Sequence, residues 1–287
     1  MFKYFLYKFG QFLTNHLSLK TSYKLANFLS VLHYYWSPND RKAVRNNLKI
    51  IKKSEEDLSA LTKDVFKNFG RYLIEFFRMG KMIDQQYIKN NIKIEHLERI
   101  DKALKAKKGV ILLTAHIGNW ELGAVLLSVL GYQMTAVALP HKERPVNDLF
   151  NHQRESQGIT IIPTQTAVRR CLECLAENKI VALVGDRDFS NNGEVIDFLG
   201  CKAVLPKGAA ILSEKTGAPI VPVFLIRDQE GVFTLTVSQP IYPPIVSKGV
   251  VAQETLFFIM RQYLSVIETK IREYPTQWLM FREFCVK

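Results

Sequence analysis

A chain of 287 residues, 47% hydrophobic and 23% charged, has the balance of a globular protein. That excludes a disordered polymer and a protein of many membrane spans, and a core of this size stands without disulfides or a structural metal. The net charge of +12 is unevenly spread: residues 1–53 carry ten Lys/Arg against Asp40 alone.

The same 53 residues hold eleven aromatic side chains between Phe2 and Trp36. Phe2, Phe5, Phe9 and Phe12 recur at helical spacing, which makes an apolar stripe. That suits a lipid headgroup boundary better than nucleic acid, where single aromatics would stand between basic residues as stacking platforms. The uncharged runs 9–19 and 25–39 fall short of the roughly 18 to 20 residues a spanning helix needs. The segment is therefore expected to lie on a membrane. Lys20 and Lys24 interrupt the apolar region and no small-residue cleavage site closes it, which argues against a signal peptide. Basic residues facing an anionic leaflet point to the cytoplasmic side. An ordinary basic helical hairpin packed on the domain is the alternative.

Residues 55–80 have helical periodicity ending at Gly80, and 95–106 suggest a second helix. From residue 109 the pattern changes to short apolar runs suited to strands buried on both faces: 109–115, 133–139, 159–163, 180–185 and 219–226. Helical stretches at 146–157, 166–178 and 206–217 lie between them, the last with Pro206 at its start and Gly217 at its end. VFTLTVS at 232–238 reads as an edge strand and 250–273 as a closing helix. The expected fold is thus α/β: one domain over 54–287, with a central, mostly parallel or mixed sheet flanked by helices, preceded by a membrane-associating helical segment over 1–53. Cys171 and Cys174 form a C-x-x-C inside a helical pattern, with no second pair and no nearby histidine, so they read as core rather than a zinc site. No metal is expected.

GVILLTA runs directly into His116-Ile-Gly-Asn-Trp-Glu121. The mouth beyond the carboxyl end of a strand is where α/β sheets bind ligands, and His116 falls there. Gly118 permits a tight turn, after which Glu121 opens the next helix. A carboxylate five residues from the histidine can meet it across that turn and fix its tautomer, leaving the other ring nitrogen to take a substrate proton. There is neither a G-x-S-x-G elbow nor a cysteine beside His116, so the simplest chemistry is direct attack of a substrate hydroxyl on a thioester. Asp186, Arg187 and Asp188 leave another strand end on the same sheet edge, where charge must be solvated or paired. Asn119 either orders the turn or touches substrate. Lys142, Arg144 and Arg154 could gather against phosphates. Glu194, in the adjoining loop, either binds acceptor or faces water. His16, His33, His141 and His152 read as surface or headgroup-facing.

HIGNWELG resembles the H-x4-D/E block of the lysophospholipid acyltransferase superfamily, and is most similar to the branch of lipid A biosynthesis (late) acyltransferases and phosphatidylinositol mannoside acyltransferases. RPVNDLFNHQRESQG (144–158) resembles the second block, in which an arginine helps hold substrate; Arg154 is the matching position. Residues 185–208 resemble the third block, and PTQWLMFREF the terminal P-x-Q-W pattern. The glycerolipid branch's E-G-T-R motif is absent, so Arg187 is not carried over as that branch's phosphate-binding arginine.

The resemblance implies an O-acyltransferase moving a fatty acyl chain from acyl carrier protein or coenzyme A to a hydroxyl of a membrane lipid or glycolipid, without a resident cofactor. His116 is then the base and Glu121 its orienter, with Arg154 and the 185–194 loop on the acceptor and oxyanion side. A cytoplasmic-face position on a bacterial inner membrane follows. An acyl-thioester hydrolase and a non-catalytic lipid-binding protein of the same fold are the competing readings.

Overall fold

In a computed structural model, the protein is described over residues 1–52, 57–189, 192–244 and 253–286. Lys53, residues 55–56 of the expected 55–80 helix and residues 250–252 of the closing helix lie outside the described residues.

Three helices occupy the basic aromatic segment: α1 (Phe2–His16), α2 (Leu19–Trp36) and α3 (Pro38–Lys52). They pack around α4 (Leu58–Met82), whose start is capped by Asp57 accepting from the Ser59 and Ala60 amides. Then follow α5 (Gln85–Asn91), β1 (Ile92–Glu95), α6 (Glu98–Leu104), β2 (Val110–Thr114), α7 (Trp120–Val129), β3 (Met134–Ala138) and α8 (Arg144–Glu155). After these come β4 (Thr160–Pro163), α9 (Ala167–Ala176), β5 (Ile180–Val184), β6 (Glu194–Phe198), β7 (Cys201–Leu205), α10 (Gly208–Thr216), β8 (Ile220–Gln229), β9 (Val232–Val237) and α11 (Gln253–Glu273).

Seven of these strands form one sheet in the order β1-β9-β8-β2-β5-β3-β4. Its pairings are parallel except β8 with β9, so the sheet is mixed and mostly parallel, as expected. Strand β2 shows why its sequence is continuously apolar. Ile111 and Leu113 point into a core with α9, α10 and α11, whereas Val110 and Leu112 point into a second core with α4, α7 and α8.

Three features differ from the sequence expectation. The run at 232–238 is not an edge, because β1 pairs alongside β9 and takes that position. Residues 194–205 form the β6–β7 hairpin, a separate two-stranded sheet. Cys201 on that hairpin is disulfide-bonded to Cys285, 84 residues away; spacing alone does not reveal such a pairing. Cys171 is a buried free thiol in α9, consistent with a core role, and Cys174 is partly buried.

Candidate active site

His116 and Asp186 are placed by strand register. In the parallel pair β2–β5, Thr114 lies opposite Val184. Each chain leaves its strand there, so the residues two positions further on emerge side by side. His116 Nδ1 donates to Asp186 Oδ1 over 2.7 Å, and Trp278 Nε1 donates to Asp186 Oδ2, also over 2.7 Å. The carboxylate is buried and the imidazole side chain is 17% exposed, so one edge of the ring still reaches solvent.

This corrects the expected pairing within HIGNWE. Glu121 opens α7 and turns toward α8, where Arg154 grips it with two parallel hydrogen bonds: Nε to Oε2 at 2.9 Å and Nη2 to Oε1 at 2.6 Å. With both oxygens engaged, Glu121 acts on His116 through its charge, while Asp186 makes the contact. The expected meeting of His116 and Glu121 across the turn overlooked a neighbouring strand end that is nearer.

The turn between them is clamped from three sides. The Gly118 amide donates to Gln277, the Asn119 amide to the Leu225 carbonyl, and the Leu279 amide to the His116 carbonyl, at 3.1, 2.9 and 2.7 Å. Gly118 has φ +62°, and a Cβ there would stand 2.1 Å from the Leu225 carbonyl oxygen. Asn119 caps α7 by accepting from the Leu122 amide at 3.0 Å. Trp120 stacks on Tyr72 at 4.6 Å and meets the His116 ring edge-on at 4.9 Å.

Burial pulls the His116 pKa below its ordinary value of 6.5, and nearby Arg187 adds to this against the opposing pull of Asp186. Burial by itself would raise Asp186, but the charge and hydrogen bond of His116, with Arg187 and Trp278, overcome it and hold the carboxyl well below its usual range. The pair at neutral pH is a carboxylate and a neutral imidazole. A carboxylate only accepts, so Nδ1 carries the proton and Nε2 is a free base.

Of the other sequence candidates, Asn119, Arg154 and Arg187 join this cluster; Arg187 donates to the Leu279 carbonyl. Arg144 is exposed and pairs with Asp148, and Glu194 pairs with Lys207 at 2.6 Å. Neither has a described hydrogen bond or ion pair to the His116 cluster. The sequence reading missed Glu75 and Arg227, and gave no role to two residues of its terminal block, Trp278 and the rim residue Arg282, whose guanidinium lies 4.9 Å over the exposed Phe189 ring. Glu75 carried a signal, a lone charge in the apolar run YLIEFF, whereas Arg227 closes the run PVFLIR directly before Asp228 and carried none.

The profile of the bacterial lipid A biosynthesis acyltransferase family matches residues 1–284. The chain belongs to that family. It is 28% identical over 244 residues to the phosphatidylinositol mannoside acyltransferase of Mycolicibacterium smegmatis, covering 83% of this chain and 77% of that one. The enzyme of the same name from Mycobacterium tuberculosis (strain CDC 1551 / Oshkosh) is 32% identical over 161 residues, 54% of this chain and 51% of the relative. A lipid A biosynthesis acyltransferase of Haemophilus influenzae is 27% identical over 130 residues, 45% and 41% of the two chains. Among solved structures, the 1-acyl-sn-glycerophosphate acyltransferase of Thermotoga maritima overlays with a TM-score of 0.41 at 16% identity, over 86% of this chain and 98% of that one. The protein is an acyltransferase of lipid biosynthesis, acting on a lipid or glycolipid.

Proposed function

We propose that this acyltransferase moves a fatty acyl group from acyl carrier protein or coenzyme A to a hydroxyl of a glycosylated, lipid A precursor-like acceptor by direct attack, with His116 as general base. The observation that carries this reading is the 2.7 Å contact of His116 with Asp186. His116 Nε2 takes the acceptor hydroxyl proton as its oxygen bonds to the thioester carbonyl carbon. The tetrahedral oxyanion then collapses, the C–S bond breaks, and the departing thiolate receives the proton from the imidazolium. Asp186 and Glu121 both favour that imidazolium electrostatically, while burial and Arg187 keep the ring neutral beforehand. Arg154 holds Glu121 in place, and Arg187 supplies positive charge beside the base.

The proposed seat of the enzyme is a membrane surface. On α1, Tyr7 faces inward against Phe150, with ring centroids 5.2 Å apart, while Phe5, Leu6, Phe9 and Phe12 are exposed. On α2, Phe28, Leu29, Tyr35 and Trp36 are exposed as well. Together with the basic charge of this region, they suit insertion at an anionic interface. No helix among the described residues is long and apolar enough to cross a membrane. The cytoplasmic leaflet is the proposed side, because anionic lipid there would meet the basic charge of this region.

The test is acyl-thioester turnover by wild type and His116→Ala, with and without lipid acceptor. Loss of transfer by about 10³-fold or more in a variant that melts like wild type is the expected result. Equal thioester loss with and without acceptor would instead identify a hydrolase.

A further inference from the structure

The turn carrying His116 is anchored from below by a carboxylate outside the family-like sequence blocks. Glu75, on α4, is fully buried and makes four contacts. Its Oε1 accepts from Arg227 Nε at 2.5 Å and from the Tyr23 hydroxyl at 2.8 Å. Its Oε2 accepts from Arg227 Nη2 and from Asn119 Nδ2, each at 2.7 Å. Arg227 is held in turn by Asn68, which accepts from Nη1 at 3.0 Å, and by Gln277, which bonds the Arg227 backbone on both its amide and carbonyl.

An ion pair this deeply buried is not explained by stability, since apolar residues of similar volume generally do as well. Its geometry offers a more specific role. Asn119 has two functional ends: Oδ1 caps α7, and Nδ2 points down to Glu75. The side chain therefore cannot rotate to exchange its ends without losing both bonds. Three residues upstream of Asn119 is His116, and two residues downstream is Glu121. Holding Asn119 thus fixes the hinge between the base and the Glu121–Arg154 pair. Tyr23 extends the same network to α2, one of the surface helices.

Resting on the reading of His116 as the base, we infer that Glu75 is a positioning residue for acyl transfer: through Asn119 it sets the register of the His116–Glu121 turn. Glu75 touches neither substrate nor the imidazole in this account, so its effect falls on kcat rather than on donor binding.

The experiment exchanges donor and acceptor across the contact. Glu75→Gln puts an amide donor against Asn119 Nδ2, and Asn119→Asp puts a carboxylate against Glu75. The double variant Glu75→Gln/Asn119→Asp restores one donor and one acceptor across this contact and keeps the cap on α7; the negative charge moves from position 75 to position 119, and Arg227 keeps its Nε bond to the remaining oxygen at 75 while losing the Nη2 bond. Rates are measured with palmitoyl coenzyme A and palmitoyl-acyl carrier protein on vesicles of total bacterial lipid, normalised to folded protein by circular dichroism. Each single variant is expected to lose tenfold or more in kcat with KM for the thioester changed less than threefold, and the double variant to recover to within about threefold of wild type. Unchanged kcat per folded molecule in the single variants, or a folded double variant no better than they are, overturns the proposal. Imidazole ¹⁵N spectra provide a reading that needs no turnover. The His116 tautomer or titration should shift in the single variants and return in the double, and an identical signal throughout counts against the proposal. His116→Ala is run alongside. If it turns over like wild type, the base assignment fails, while the ¹⁵N comparison still decides whether Glu75 positions the turn.

Discussion

His116 and Asp186 lie 70 residues apart in the chain and 2.7 Å apart in the fold, each two positions beyond the Thr114–Val184 register pair of two parallel strands. Sheet register brings the two segments side by side, and the hydrogen bonds of the His116 turn and of Trp278 to Asp186 then orient the side chains. Asp186→Asn replaces the acceptor with an amide that can donate to Nδ1, which moves the ring proton to Nε2 and removes the free base. The expected loss in kcat is on the order of 10³- to 10⁴-fold, with little change in thermal midpoint. Wild-type rates in a folded Asp186→Asn protein would remove Asp186 from the mechanism.

The pH profile tests the electrostatics. His116 is pulled below its ordinary 6.5, so its neutral form persists to lower pH than a free histidine would allow. The midpoint of the acid limb of the rate should therefore lie below 6.5. Arg187→Met removes a charge that pushes the pKa down, so the acid limb should move to higher pH. A limb that stays in place, or moves the other way, contradicts the assignment of Arg187 as a neighbouring charge.

The strands that build the sheet could be read along the chain because burial on both faces leaves a local mark: VILLT and IVALV contain no polar residue until their ends. IKIE of β1 alternates with charge over four residues, and EVIDF and CKAVL of the β6–β7 hairpin are likewise interrupted, so neither showed as a run. The same distinction governs the site. His116 at a strand end and Arg154 in its block were legible, whereas the choice of Asp186 over Glu121 as the partner of His116 depends on a register between strands that no local pattern encodes. Glu75 was visible only as a charge out of place in an apolar run, and Arg227, at the end of its run beside Asp228, not at all, because the group that satisfies each comes from a distant element.

Glu121 and Arg154 should behave as a unit. Both side chains are nearly buried, so removing one partner leaves an uncompensated charge. Glu121→Gln is expected to destabilise by about 3–5 kcal/mol, and Glu121→Gln combined with Arg154→Met by less than the sum of the two single changes. Denaturant unfolding of the four proteins measures the coupling. Additive effects would mean that the two hydrogen bonds hold little of the interaction. Arg154→Lys retains the charge but not the fork, and should be intermediate.

Gly118 offers the most local test of the turn. Its positive φ and the Leu225 carbonyl oxygen, which a Cβ would approach to 2.1 Å, are independent reasons for a side chain not to fit. The carbonyl belongs to β8 backbone already bonded to the Asn119 amide, so it cannot give way cheaply. Gly118→Ala should cost about 1–3 kcal/mol from backbone conformation alone, more with the clash, and should reduce kcat beyond what the loss of folded protein explains. Gly131 has φ +98° and nothing within 4 Å of the position of its Cβ, so Gly131→Ala separates the conformational cost from the clash and should leave kcat per folded molecule unchanged.

The exposed face of α1 is tested by vesicle flotation. Phe5, Phe9 and Phe12 follow one another at spacings of four and three, and Phe9 is 60% exposed, so they can enter a bilayer without unpacking Tyr7 from Phe150. Full burial of one such ring is worth roughly 1.5–3 kcal/mol. Changing Phe5, Phe9 and Phe12 together to Ser should therefore weaken binding to anionic vesicles by well over tenfold while sparing the fold. High salt should weaken wild type on anionic vesicles but have little effect on neutral ones, because screening reaches the lysines and leaves the apolar contact. Undiminished flotation of the triple variant would place the membrane contact elsewhere on the protein.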